Sequence, residues 1–266
     1  MTFRSFFMLF MLCSALYSTV VINAKTLNIA VASNFSPVAK KLAKQYHQQT
    51  GINIKISSGS TGKLLTQIQN GAPYDIFLSA DSDGPELLIK QGKAVADSFI
   101  VYTRGQLALI SRIALQDPTR LPFLNKPPQL AIASAKTAPY GIAAEYWLRE
   151  VAHWGNNYQL LKGENINQAW HFFSKGGADL ALVAYSQIQQ TKPNPNKYWL
   201  LNIKPELLDQ AAVLILKSSA NNSGKETQNK AENYSLAQDF LDYLVSVDVQ
   251  KQILAAGYLQ PIAKTK

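Results

Sequence analysis

The chain reads as an α/β protein of two domains. Strand-like and helix-like segments alternate along it. Its 266 residues are long for one domain and comfortable for two, and the alternation makes a fresh start after Arg104.

In the first run, residues 26–33 alternate Leu27, Ile29 and Val31 as a strand. Ser36 then stands as a potential N-cap with Pro37 at the first helical position. Val38, Leu42 and Tyr46 follow at helical spacing, and Gly51 closes the element. Ile52, Ile54 and Ile56 alternate as a second strand, and residues 62–70 form a second helix with Leu64, Leu65 and Ile68 inward. Residues 75–80 (DIFLSA) make a third strand and 85–90 a third helix. Chirality turns such a βαβαβα run into a parallel sheet with right-handed crossovers.

In the second run, 106–111, 129–134 and 178–185 read as strands, and 143–151 and 167–175 as helices. Residues 211–216 (AAVLIL) give one more strand, the polar stretch 218–235 an exposed loop, and 236–245 and 249–254 two closing amphipathic helices. No internal repeat or heptad pattern is visible.

The first 24 residues differ in kind. Arg4 precedes an apolar run from Phe6 to Leu12, and the segment ends Val21-Ile22-Asn23-Ala24, the layout of a secretory signal peptide. An uncleaved membrane anchor is the rival; Ser14, Ser18, Thr19 and Asn23 weaken it, because a span needs about 20 apolar residues. Cys13, the one cysteine, lies in this segment without the small residues of a lipoprotein box. The exported remainder would therefore lack disulfides, thiolate metal sites and a cysteine nucleophile, and a chain this long buries enough core without them. The formal net charge is +9, of which residues 1–24 carry only Arg4. A basic balance points to an anionic partner. The basic residues are scattered and the chain carries an export signal, so small anions fit better than nucleic acid.

Four turns are candidate anion cradles. Ser57-Ser58-Gly59-Ser60-Thr61-Gly62-Lys63-Leu64 lies between the second strand and second helix. Hydroxyls and glycines at a strand-to-helix turn present free N–H and O–H donors at the positive end of a helix. A nucleotide P-loop fails here, since Ser57 stands where its first Gly is required and Leu64 where Ser or Thr is required. Ala32-Ser33-Asn34-Phe35-Ser36 is a second donor-rich turn, and in open α/β sheets both turns would face the crevice at the carboxyl ends of the strands. Thr137-Ala138-Pro139-Tyr140-Gly141 and Gly163-Glu164-Asn165-Ile166-Asn167 each open a helix in the second half, with backbone N–H groups as donors. Taken singly, each turn can equally be helix punctuation.

No catalytic set is recognisable. His47, His153 and His171 have no metal-ligand spacing, and there is no Gly-x-Ser-x-Gly elbow. Asp75, Asp81 and Asp83 read as solvated ends and helix caps, and Trp147, Trp154, Trp170 and Trp199 as core or interlobe packing.

Several of these stretches resemble the periplasmic molybdate-binding proteins of ABC importers, in the type II solute-binding class. They are Ile29-Ala30-Val31-Ala32-Ser33-Asn34-Phe35, the Gly59 to Leu64 turn, Gly71-Ala72-Pro73-Tyr74-Asp75-Ile76-Phe77-Leu78-Ser79-Ala80-Asp81, Thr137 to Gly141, Glu164-Asn165-Ile166 and Gly257-Tyr258. The resemblance covers essentially all of 26–260. It implies two lobes, 25–103 with about 213–266 and about 104–212, each a mixed sheet flanked by helices, closing over one buried oxyanion. It also implies a periplasmic, monomeric, non-enzymatic carrier of molybdate and tungstate, with no cofactor and no side-chain metal coordination, that delivers to an inner-membrane ABC permease.

By the same resemblance the anion ligands are Ser33, Asn34, Ser60 and Thr61 in the first lobe, and the amides of Tyr140 and Ile166 in the second. Tyr185 is a further candidate, with its register uncertain by one residue. Uncharged donors suit a dianion without a proton, because no acceptor is needed, while a buried dianion must be met by many hydrogen bonds. The alternatives are a carrier for sulfate or another tetrahedral oxyanion, a phosphate-ester-handling enzyme using the Ser60/Thr61 turn, and a protein that binds partners through its basic surface.

Overall fold

The computed structural model describes residues 25–122, 124–191, 197–216 and 224–262. The signal-peptide reading of 1–24 lies outside these residues. Two five-stranded sheets organise the chain. The first takes β1 (Thr26–Ala32), β2 (Asn53–Gly59), β3 (Ile76–Leu78), β4 (Ile100–Arg104) and, from far along the sequence, β10 (Asp209–Leu214), in the order β2-β1-β3-β10-β4. The second takes β5 (Leu107–Ser111), β6 (Gln129–Ala133), β7 (Gln159–Gly163), β8 (Leu180–Ala184) and β9 (Tyr198–Leu200), in the order β7-β6-β8-β5-β9.

Both sheets share one plan. Three parallel strands, β2-β1-β3 or β7-β6-β8, lie beside a reversed strand, β10 or β5. The reversed strand pairs antiparallel with a fifth, β4 or β9. The chain passes between sheets at 104–107 and returns before β10, so each reversed strand adjoins a crossing.

The first-run helices follow their sequence cues. α1 (Ser36–Thr50) carries Pro37 in its first turn and ends on Gly51; α2 (Thr61–Gln69) buries Leu64 and Ile68; α3 is Asp83–Lys90. In the second run, α4 (Pro139–Glu150) starts four residues before the expected 143, because Pro139 is pre-set for a first turn. α5 is Ile166–Ser174.

Two expectations fail. Residues 178–185 were read as one strand, but β8 stops at Ala184 and α6 (Tyr185–Thr191) follows at once with no turn residue between. The polar stretch 218–235 is not all loop. Residues 218–223 lie outside the described residues, and from Gly224 the chain is helical, α7 (Gly224–Val245), before α8 (Val247–Ala255). Its early turns have no apolar stripe to betray the helix, and its later ones anchor it through Ala237, Phe240, Leu241 and Leu244.

The cores explain the sequence periodicities. β1 is buried on both faces, Leu27, Ile29 and Val31 against α1 and α7, Ala30 against Leu64 and Phe77, which is the normal state of a central parallel strand. Edge strands β2 and β7 stay half-exposed. The second sheet packs around Trp147 and Trp154, both buried and meeting edge-to-face at 5.6 Å, while Trp170 and Trp199 pack partly buried against that cluster. Ala32 and Ala80 of the first lobe join the second lobe's cluster, so the lobes touch.

Candidate functional site

The four donor-rich turns are stitched to one another by direct bonds. The Ser33 amide donates to Gly59 O at 2.9 Å, which sets the first turn beside the second. The Gly62 amide, at the start of α2, donates across the cleft to Thr137 O at 2.9 Å. Thr137 Oγ1 donates to Glu164 O at 2.8 Å, tying the third turn to the fourth. At the rim, Lys63 Nζ and Glu164 Oε2 pair at 2.7 Å. A cleft of about 170 Å³ runs between the lobes here, with Thr61, Gly62 and Asp81 on one wall and Thr137, Ala138 and Pro139 on the other.

The candidate ligand residues sit inside this closure. Ser33, Asn34, Ser60, Thr61, Tyr140 and Ile166 are all buried, each 5% exposed or less. Their polar atoms are under-used. Ser60 is the N-cap of α2 but makes no capping bond, and its Oγ is buried with no partner among the described residues. Thr61 Oγ1 accepts from the Ala80 amide at 3.2 Å, which leaves its own proton free to donate elsewhere. The amides of Asn34, Thr61, Tyr140 and Ile166 meet no acceptor among the described residues. Buried donors normally find partners, so such a gathering at the starts of α2, α4 and α5 and the turn before α1 is ready for an acceptor-only guest. The three helix starts add partial positive charge without any ionised group.

Local sequence fixes these positions. A Cβ at Gly141 would lie 2.5 Å from Ser134 C and 2.6 Å from Ala133 O, so only glycine lets α4 start this close to the end of β6. Asn165 caps α5 by accepting from the Gln168 amide at 3.1 Å. Asp81 serves its own helix end: its Oδ1 accepts from Ser79 Oγ at 2.8 Å and the Gly84 amide at 3.1 Å. Burial raises that carboxyl above the usual range, the two bonds oppose the rise, and Asp83 adds to it.

Tyr185 is not brought into the group. As the first residue of α6, it stacks at 5.7 Å on Tyr198, and its hydroxyl accepts from Gln189 on the exposed side. The next residue, Ser186, is buried beside the Tyr258 phenol.

Behind the turns lies a buried cluster in which the sequence singles out Tyr140 and, through the resemblance, Tyr258, but not Tyr102 or Gln210. Tyr258 Oη donates to Asn34 O at 2.9 Å, and Tyr102 Oη donates to Gln210 Oε1 at 3.2 Å. The Tyr140 phenol reaches in from the second lobe and abuts Gly105, where a Cβ would collide with it. Burial, then the neighbouring Tyr258, hold that phenol far above its ordinary range, while Gln106, Gln210 and Asn34 moderate the rise. Among the described residues its oxygen finds no partner at hydrogen-bond geometry, nor does Gln210 Nε2. Gln210 sits at a register shift in β10, the kind of irregularity that re-aims a side chain. A glutamine beside an apolar run was the one sequence signal for it. Among the described residues, no three His, Cys, Asp or Glu side chains are grouped to hold a metal ion, and no helix is long and apolar enough to cross a membrane.

The family described as bacterial extracellular solute-binding protein matches residues 27–259. The chain belongs to that family. This solute-binding protein is 35% identical to the molybdate-binding protein ModA of Azotobacter vinelandii over 88% of its length and 90% of the relative's. It is 31% identical to the ModA of Rhodobacter capsulatus, over 86% of each chain. The solved periplasmic molybdate-binding protein of Azotobacter vinelandii superposes with a TM-score of 0.74 at 31% identity, covering 88% of this chain and 99% of that one. The chain is thus a two-lobed α/β member of a solute-binding family, which is not an enzyme class.

Proposed function

We propose that this protein is exported to the periplasm, captures molybdate or tungstate as a single chain, and hands the anion to the permease of an ABC importer. The ligands would be the hydroxyls of Ser33, Ser60 and Thr61 with the amides of Asn34, Thr61, Tyr140 and Ile166. The observation that carries the reading is the set of buried donors without partners among the described residues, at four mutually bonded turns. Such donors can replace the hydration shell of a dianion, and each charge-assisted bond contributes about 1.5–3 kcal/mol. An unprotonated oxyanion asks for no acceptor in return, which separates it from phosphate carrying a proton. The relatives named for molybdate binding support this guest among tetrahedral oxyanions. Because the donors come from both lobes, the anion is held fully only when the lobes meet, and closure marks the loaded carrier for its permease.

Thermal unfolding with molybdate, tungstate, sulfate and phosphate in turn tests the proposal. At about 100 times its dissociation constant a ligand stabilises by about 2.7 kcal/mol, so molybdate and tungstate should raise the midpoint by several degrees and phosphate should not. A shift with sulfate alone reassigns the cargo. A flat response to all four rejects anion capture.

A further inference from the structure

We propose that Tyr258 is a positioning residue for the anion site, acting through Asn34; this rests on the oxyanion-capture reading. Tyr258 is 3% exposed and comes from the segment after α8, more than 220 residues from the turn it serves. Its phenol holds Asn34 at two points. Tyr258 Oη donates to the Asn34 backbone carbonyl at 2.9 Å, and Asn34 Nδ2 reaches the same oxygen at 3.5 Å. With the carbonyl fixed on one side of the turn, the Asn34 amide, which meets no acceptor among the described residues, is fixed on the other. The ring is itself braced, edge-on to Phe35 at 5.4 Å.

The mounting of Tyr258 gives this contact its mechanical meaning. Gly257 takes φ +94, a left-handed turn that L side chains rarely adopt. Its carbonyl accepts from Gln106 Nε2 at 3.0 Å. Leu259 and Arg104 exchange both backbone bonds at 2.9 Å, and Thr103 Oγ1 adds a third to Leu259 O at 2.9 Å. Residues 257–259 are therefore clamped to 103–106, where the chain crosses from the first sheet to the second. From the second lobe, Gln189 Cγ and the Tyr185 ring pack against Gly257, and the buried phenol of Tyr140 lies beside that of Tyr258. A change in the crossing geometry must move Tyr258, and through it the amide that faces the anion. Tyr102, an equally buried phenol of the same cluster, shares its one proton between Gln210 Oε1 at 3.2 Å and the Ser79 carbonyl at 3.4 Å, and so holds no part of the turn that carries Asn34.

Tyr258→Phe removes the hydroxyl and keeps the braced ring; Tyr102→Phe is the matched control. Molybdate affinity by calorimetry and the unliganded melting midpoint are measured for both and for the unmodified chain. Tyr258→Phe should weaken binding about tenfold or more, mainly through faster release, while Tyr102→Phe stays within about threefold at a similar change in midpoint. Gln106→Leu, which frees the Gly257 carbonyl without touching the phenol, should weaken binding about threefold and carries the test if Tyr258→Phe does not fold. Affinity within threefold of the unmodified chain for Tyr258→Phe, or parallel losses in Tyr258→Phe and Tyr102→Phe that track stability, would overturn the inference alone. An unmodified chain that binds none of the four oxyanions overturns the capture reading and the inference together.

Discussion

Ser60 and Asn165 occupy the same structural position and use it in opposite ways. Both are extended N-cap residues at a strand-to-helix turn beside the cleft. Asn165 serves its own helix: its side chain accepts from the Gln168 amide, and Gln168 Oε1 in turn accepts from the Glu164 amide at 2.6 Å. This is the reciprocal logic of a capping box. Ser60 makes no such bond and leaves its Oγ buried and unpartnered. A hydroxyl withheld from its own helix costs stability in the empty protein and is available to a guest. The second lobe, self-capped at α5, offers backbone N–H groups; the first adds side-chain O–H groups. The site is thus asymmetric in chemistry although the two sheets share one plan.

The comparison breaks most completely at Gly141, where both lobes depend on where α4 begins. An alanine there would press its Cβ onto backbone atoms of Ala133, Ser134 and Ala135, none of which can rotate away. Overpacking of this kind costs about 1–3 kcal/mol, and displacement of α4 also carries the Tyr140 amide away from the position proposed for it at the anion. Gly141→Ala should lower the urea midpoint and reduce molybdate affinity by about tenfold to a hundredfold, the loss of one charge-assisted donor at about 1.5–3 kcal/mol. Unchanged affinity, by calorimetry, would show that the start of α4 holds no part of the anion.

A sharper contrast comes from the two caps themselves. Ser60→Ala removes an unsatisfied hydroxyl, so the unliganded protein should melt no lower than before, while affinity falls by about tenfold to a hundredfold. Asn165→Ala should do the reverse. The helix loses about 1 kcal/mol, read as a lower unliganded midpoint, and affinity changes by less than about threefold because the Ile166 amide remains. If both variants lost stability and affinity in the same proportion, the division of labour between the lobes would be wrong.

Much of this was legible in the sequence, and the gaps have physical causes. Elements with strong periodicity or a Pro or Gly marker, β1 and α1 for example, stand where the residues place them. β4, β7 and β9 were passed over. β7 is largely exposed and does not alternate, and β9 is only three residues long. β4 sits at the crossing where one domain reading gives way to the next. α6 follows β8 directly, so Tyr185, read as a strand residue, has its ring on a helix. The four turns were visible because hydroxyls, glycines and helix starts are local signals. Gln210, Ser186 and Tyr102 were not, since what they do depends on three distant segments meeting at the crossing. Tyr258 was visible only as part of a resemblance, and its bond to Asn34 spans 224 positions.

The smallest expected effect concerns the rim, where the two lobes touch through charge rather than through the buried donors. Lys63 and Glu164 pair at 2.7 Å with side chains 50% and 62% exposed, so water and salt compete for both. Exposed pairs contribute about 0–1 kcal/mol. Lys63 is one residue from the Gly62–Thr137 bond that also spans the cleft, and that bond needs no charge. Lys63→Gln should therefore lower molybdate affinity by about two- to threefold at low ionic strength and by nothing measurable near 1 M, where the screening length is about 3 Å. The quantity to follow is the ratio of variant to unmodified affinity across the salt series, since salt acts on both proteins alike elsewhere. A ratio that stayed constant to 1 M would mean that the pair is shielded from solvent when the anion is bound, and that the rim, too, belongs to the closed site.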